Sequence, residues 1–386
     1  MSANINGNTF CRKKKVEKEK NMKYGIIMYK DTENIGDDVQ TYVAEKYLPR
    51  IDYIIDRDNV TGFIPEKKEY VATIMNAWWM NKKFNWPPSP YIYPKMISMH
   101  FTHYDTVYHI EQRHITTGYG KEYLKQHQPI GCRDSYTNNL LKENGIEAYF
   151  SGCMTLTLDK FDGIEKEEYI LLVDVKDEIY EVIKKMTNKK IKRITNNRKR
   201  EEYSKLDWNI RRGYVEDYLK LIQKASLVIT PRLHSALPSL ALQTPVLLID
   251  YSLNNDRTSD FLKLLYYTTE EEILNRKLKY DINKPKENKK DYLKIRKELE
   301  RECFKFINES ENKKLDTNLL PNVEIYREMN KRNEFQKGLL LDSFYELNKM
   351  YLKEVKNAQN AWKSSNEGWK NYEILCNKIK EKGIEI

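Results

Sequence analysis

From residue 24 to about 285, short apolar runs alternate with segments of helical spacing. Residues 24–29 (YGIIMY) make a continuous apolar run of strand length, followed by a polar loop at 30–36 and a helix from about Asp37 to Tyr47, which Pro49 closes. Further strands are predicted around 71–76 and 95–101. Between them the aromatic, proline-broken stretch 78–94 (WWMNKKFNWPPSPYIYP) predicts a long surface loop lining a cleft. Residues 128–152 give a strand at 129–133, a helix at 135–143 with Gly145 as its C-terminal cap, and a strand at 146–150. A second series starts with a strand at 169–175, then a helix near 176–186, a strand at 191–195 and a helix at 214–225. It ends on the clearest unit: strand 227–230, helix 233–243 and strand 245–250, joined by turns as short as those of βα units. Such alternation predicts an α/β fold with mainly parallel sheets.

After about residue 285 strand signals disappear and the chain becomes helical, charged and aromatic, with apolar residues at three- and four-residue spacing. A length of 386 residues fits two lobes rather than one core. The expected organisation is a disordered extension at 1–21, a Rossmann-like lobe at 22–160, a second at 165–284 and a helical extension at 285–386.

A net charge of +10 and a pI near 9.0 favour encounter with anions. The basic runs at 12–15 and 189–200 are scattered and no recognised motif accompanies them, so they read as solvated faces and nucleic acid is not an expected partner. Five cysteines without a C-x-x-C pair argue against a disulfide framework and against a zinc site, which points to a reducing compartment. No signal-peptide core and no run near the roughly 20 apolar residues of a membrane span is present, so a cytoplasmic protein is expected. His100 and His103 lie three apart on an extended strand and face opposite sides, so no metal is expected there. H-E-x-x-H, G-x-S-x-G, Walker and G-x-G-x-x-G sequences are absent, and no cofactor is expected.

Candidate chemistry concentrates in residues 228–249 (VITPRLHSALPSLALQTPVLLI). Arg232 and His234 fall at the turn from a strand into a helix, where free backbone N–H groups and the helix dipole attract anions. A guanidinium there matches phosphate or carboxylate oxygens, and an imidazole two residues on supplies a proton near neutral pH. A second anion candidate is Arg133 in GCRDSYT, where it ends a strand and Asp134 or Ser135 caps the next helix; a salt bridge to Asp134 explains it equally well. Asn34 and Asp37, in the first strand-to-helix loop DTENIGDD, suit either sugar hydroxyls or turn and cap chemistry. His100, at a strand end, is a candidate hydrogen-bond partner in the cleft. Cys132 reads as a buried strand residue.

Taken in order, ENIGDDVQTY, the NWPPSP segment, PIGCRD followed by GIEAYFSGCMTLTL, and TPRLHSALPSLALQTPV resemble the polysaccharide pyruvyl transferase family over about residues 24–255. The R-L-H sequence in its strand-turn-helix setting is the most specific of these. The resemblance implies a GT-B-like architecture with an acceptor-side lobe at 22–160 and a donor-side lobe at 165–284. It implies transfer of the enolpyruvyl group of phosphoenolpyruvate to a sugar or lipid-linked oligosaccharide acceptor, giving a pyruvate ketal. It also places Arg232, Leu233 and His234 at the phosphoenolpyruvate site, with Arg133 assisting. Peripheral contact with the inner membrane face and assembly into a homo-oligomer are compatible with the basic, amphipathic C-terminal helices. Two other readings stay open: a glycosyltransferase of the same fold with a nucleotide-sugar donor, and a non-catalytic assembly protein.

Overall fold

The computed structural model describes residues 22–79, 85–101, 115–251, 258–363 and 372–378. The basic N-terminal extension and His103 lie outside them.

The first lobe opens with β1 (Lys23–Met28) and α1 (Ile35–Glu45). The helix starts two residues earlier than its spacing predicts, because the Asn34 side chain accepts a hydrogen bond from the Gly36 amide at 2.9 Å and so caps it. β2 (Tyr53–Asp56), β3 (Val71–Ile74), β4 (Trp78–Trp79), β5 (Ile92–Lys95) and β6 (His100–Phe101) follow. Then come α2 (Gly118–Gln126), β7 (Ile130–Cys132), α3 (Ser135–Glu143) and β8 (Ala148–Phe150). The main sheet runs β2-β1-β3-β5, all parallel. Its edge continues through residues 96–99 to β7, since the Met99 amide donates to the Gly131 carbonyl at 3.0 Å and the Gly131 amide to the Met96 carbonyl at 3.1 Å; β8 then pairs with β7.

The second lobe contains β9 (Tyr169–Val173), α4 (Asp177–Met186), β10 (Lys190–Ile194), α5 (Arg200–Tyr203), α6 (Trp208–Lys224) and β11 (Leu227–Thr230). It continues with α7 (Leu233–Ala241), β12 (Val246–Asp250), α8 (Ser259–Leu262), β13 (Tyr266–Thr269) and α9 (Glu270–Leu274). Its sheet is parallel in the order β10-β9-β11-β12-β13. The central strands YILLV and LVIT are buried throughout, as strands covered on both faces must be. Two long helices, α10 (Tyr292–Asn312) and α11 (Val323–Lys363), follow, and residues 372–378 are again helical. The fold is therefore α/β, with two Rossmann-like parallel sheets and a helical C-terminal region.

Two further features differ from expectation. The described parts of the aromatic stretch, 78–79 and 85–94, are core and not an exposed loop: Trp79, Trp86 and Tyr91 are buried, and Trp86 packs edge-on against Trp79 at 5.7 Å and Phe101 at 5.5 Å. Prolines interrupt the backbone there, but the rings still gain about 2 kcal/mol or more each from burial. Helix α6 begins at Trp208, not Tyr214, because Asp207 caps it through the Ile210 amide.

In both sheets the first strand of the lobe lies between the second and the third. Connections leave neighbouring strands in opposite directions at β1/β3 and at β9/β11, which opens a crevice at the strands' C-terminal ends. The two crevices meet. The Ile35 amide donates to the Asn196 carbonyl at 3.0 Å and the Arg198 amide to the Glu33 carbonyl at 2.7 Å. One apolar core runs through the junction, with Ile35, Val39 and Val43 of α1 and Ala236, Leu237 and Leu240 of α7.

The polar tie across this junction is Arg211 on α6. Its Nη2 and Nε donate to the two carboxylate oxygens of Asp38 on α1 at 2.6 and 2.9 Å, and Nη2 also donates to the Tyr29 carbonyl at 2.8 Å. The Tyr203 hydroxyl donates to Asp38 at 2.5 Å. Both charged side chains are fully buried. Burial pushes the Asp38 carboxyl up to about 6 against the charge and hydrogen bonds of Arg211, so the pair fixes geometry more than it adds stability. Arg211→Met should lower unfolding stability by about 3 kcal/mol in a urea titration, because an unpaired carboxylate stays buried. Adding Asp38→Leu to that variant should restore at least half of the loss; additive losses would show that the two residues do not act as a pair.

Candidate active site

The R-L-H turn is built as its sequence dictates. Thr230 ends β11 and its hydroxyl accepts the Arg232 amide at 3.0 Å, which turns the chain into α7. Pro238 sits one turn inside that helix and lacks the N–H that would bind the His234 carbonyl. His234 accordingly has non-helical angles (φ −80°, ψ 17°), and the first turn is loose. The Ser235 and Ala236 amides both donate to the Arg232 carbonyl, at 3.1 and 3.0 Å, and the N-terminus of α7 lies at the C-terminal edge of its sheet, where such sheets bind ligands.

The turn sends the guanidinium and the imidazole in different directions. Arg232 is partly exposed, and its Nε donates to Asp174 at 2.8 Å. Asp174 follows β9 in a left-handed conformation (φ 53°) and also accepts from the Thr195 hydroxyl at 2.6 Å, binding the ends of β9, β10 and β11 together. His234 is buried and turns toward the first lobe, its Nε2 3.9 Å from the Cys153 Sγ. A Cβ on Gly36 would lie 3.0 Å from the His234 Cβ, so a glycine at that position allows α1 to approach the imidazole. Leu233 between them packs on the junction core. Ser235, next along, accepts from Tyr218 at 2.7 Å and Asn196 at 3.1 Å, which locks the turn from behind.

Arg133 lies just past β7 and is fully buried, yet none of its three guanidinium nitrogens makes a hydrogen bond among the described residues. Its closest charge is Asp134, 3.5 Å from Nε. Asp134 in turn caps α3 through the Thr137 amide at 2.9 Å and lies 2.6 Å from His100 Nδ1. Burial would raise the Asp134 carboxyl, but the hydrogen bond and charge of His100 and the charge of Arg133 outweigh it and hold the group well below the usual carboxylate range. The Arg133 charge is felt at Cys153, where burial raises the thiol and the guanidinium opposes that rise, and at Tyr29.

Of the residues singled out from sequence, the fold brings Asn34, Asp37, Arg133, Arg232, Leu233 and His234 to the same interlobe region. Asn34 is spent on its cap and bridges to Asn197. Asp37 accepts from the Thr32 hydroxyl at 2.7 Å and the Trp78 indole at 3.3 Å. His100 is buried against Asp134. Cys132 is a buried strand residue. Sequence reading did not single out Asp174, Asn196 or Cys153. The signal for Asp174 was its place directly after the buried run YILLV, at the C-terminal edge where such sheets bind ligands. Chemically the region offers two guanidinium groups, a loose helix start and an imidazole, a set suited to a small anion and a proton transfer.

The sequence model of the family described as polysaccharide pyruvyl transferase matches residues 34–252, more than half of the chain. Among solved structures the chain is similar to a functionally uncharacterised protein from Klebsiella pneumoniae subsp. pneumoniae NTUH-K2044, with a TM-score of 0.40 and 12% identity over 64% of this chain and 93% of that one. It is similar also to a UDP-GlcNAc 2-epimerase from Methanocaldococcus jannaschii solved with UDP-GlcNAc and UDP (TM-score 0.32, 12% identity, 81% of this chain and 99% of that one). A third is the wall teichoic acid polymerase TagF (TM-score 0.31, 9% identity, 83% of this chain and 90% of that one). No curated protein matches the sequence.

Two outcomes follow from the charges at this site. A carboxyl depressed in the folded state adds stability above its unfolded range and loses it as pH falls. The stability gap between the native protein and Asp134→Asn should therefore be largest above about pH 5 and shrink toward pH 3 in chemical denaturation series; a constant gap would show that the Asp134 charge is not stabilised. Arg133→Met should leave the melting temperature unchanged or raise it, since a desolvated guanidinium without hydrogen bonds is replaced by an apolar chain. A marked fall would make Arg133 a structural residue.

Proposed function

The chain belongs to the polysaccharide pyruvyl transferase family, and from that premise we propose that it moves the pyruvyl group of phosphoenolpyruvate onto two hydroxyls of a sugar in a polysaccharide or its lipid-linked precursor, forming a pyruvate ketal. The observation that carries this reading is Arg133. A buried cation that makes no hydrogen bond among the described residues, and whose one nearby carboxylate, Asp134 at 3.5 Å, is shared with His100, is only partly compensated, and a doubly anionic donor would complete the compensation.

Phosphoenolpyruvate carries a carboxylate and a phosphate close together. Arg133 binds one of them from within the first lobe. The α7 amides and the terminal nitrogens of Arg232, whose Nε is held by Asp174, bind the other from the second lobe. His234 donates its proton to the methylene carbon, which becomes the methyl group, as the first sugar hydroxyl adds to the central carbon. The second hydroxyl then displaces phosphate. The two hydroxyl protons are accounted for: one restores His234 and the other leaves on phosphate. Stabilising the departing phosphate is the larger task and falls to the arginines, while the general acid contributes roughly 10²–10⁴-fold. Cys153, beside the imidazole, keeps its surroundings dry. No described helix is long and apolar enough to cross a membrane, and we place the reaction in the cytoplasm, where this donor is made.

Purified protein should release phosphate from phosphoenolpyruvate only when a glycan acceptor is added. His234→Gln should reduce kcat by about 10²–10⁴-fold, the range of a lost general acid, and Arg232→Ala should abolish turnover. Thermal stabilisation by a nucleoside diphosphate with none by phosphoenolpyruvate would instead favour a nucleotide-sugar donor.

A further inference from the structure

Away from the R-L-H turn, a groove of about 1070 Å³ runs between the outer edge of the first lobe and helix α10. One wall is Tyr93, Lys95, Phe150 and Ser151; the other is the face of α10 that carries Lys294, Arg301 and Lys305. None of Arg133, Arg232 and His234 lines it. The helix belongs to the part of the chain beyond residue 252, where the family match ends. It is seated deliberately close: Gly152 has φ +75°, and a Cβ there would lie 2.5 Å from Ile295 on α10.

The lining has two chemical characters. Tyr93 and Phe306 stack on each other at 5.5 Å with their planes 22° apart, and Lys263 sits 5.5 Å over the Phe150 ring, so aromatic side chains, partly covered by one another and by lysine, border the space. Six lysines and arginines line it against three glutamates. Lys95 is paired with Glu302 at 2.8 Å and Arg301 with Glu298 at 3.2 Å, but Lys263 and Lys294 have no carboxylate within ion-pair distance among the described residues. Lys263, Lys294 and Lys305 are exposed, so their ammonium groups stand over the groove at little structural cost. Aromatic edges beside aliphatic lysine stems suit the C–H surface of sugars, and an excess of cations suits acidic substituents. The volume exceeds what a single monosaccharide needs.

We propose that this groove is a second glycan-binding site, holding an anionic oligosaccharide stretch of the acceptor while another sugar of the same chain reaches the interlobe site. The inference deepens the reading of the acceptor as a glycan and rests on it. The segment that joins the two places is short: Ser151 lines the groove, and Cys153 touches His234. The acceptor is thereby selected by charge and length at a point remote from the reacting hydroxyls, which raises its effective concentration at the centre.

Binding of three probes to the full-length protein, followed by calorimetry at low salt, tests this directly: a hyaluronan octasaccharide as an anionic glycan, maltooctaose as a neutral one, and hexaglutamate as an anion without rings. The hyaluronan probe should bind best. The triple variant Lys263→Ala, Lys294→Ala, Lys305→Ala should bind it at least tenfold more weakly while keeping its melting temperature and its turnover of a short acceptor. No hyaluronan binding, equal binding by the variant, or equal binding of maltooctaose or hexaglutamate would overturn the assignment. Loss of all phosphoenolpyruvate turnover in the native protein with hyaluronan binding intact would sink the transferase reading and leave the groove standing.

Discussion

A fully buried guanidinium held by a fully buried carboxylate, Arg211 on Asp38, sets how the two sheets face each other. The helix that opens the first lobe carries the carboxylate, and the helix that precedes the R-L-H strand carries the arginine. Because Arg211 also binds the carbonyl of Tyr29 at the end of β1, it holds the strand end and the helix start together. The loop between them, with Asn34 and Gly36, is then pressed against Asn196 and His234. Strand order alone would open a crevice in each lobe, but it is this tie that aligns the two crevices into one.

The contrast between two buried arginines organises the chemistry. Arg211 has all its charge answered by the protein. Arg133, equally buried, has a carboxylate at 3.5 Å that is shared with His100 and no hydrogen bond of its own among the described residues. A chain that can satisfy one such group so completely leaves the other for a reason, and proximity to Cys153, which touches His234, supplies one. Arg232 belongs to the outer side of the same region: it is half-exposed, tethered through one nitrogen by Asp174, and open to a ligand arriving from solvent.

Much of the scaffold was legible because it rests on local signals. The runs at β9, β11 and β12 are apolar up to a polar last residue in two of them (Thr230 and Asp250), as buried parallel strands are, and the start of α7 follows from the short turn after Thr230. Edge strands β2 and β13 carry polar and aromatic residues and leave half their faces in water, so their period is weak. The aromatic stretch misled because proline reports on the backbone, whereas Trp79 and Trp86 answer to distant rings. At the site, Asp37 and Asp38 look alike as acidic residues in a helix's first turn; only the arrival of Arg211, 173 positions on, separates them. Arg133 beside Asp134 reads as an ordinary pair until its burial is known.

The measurement that bears most directly on the account is a crystal structure of the protein soaked with phosphoenolpyruvate. The ligand should lie between the lobes, with one acidic group within hydrogen-bond distance of the Arg133 guanidinium, the other at the first turn of α7, and its methylene carbon facing the His234 imidazole. Ligand density bound elsewhere, with no ligand oxygen at the Arg133 nitrogens, would contradict it.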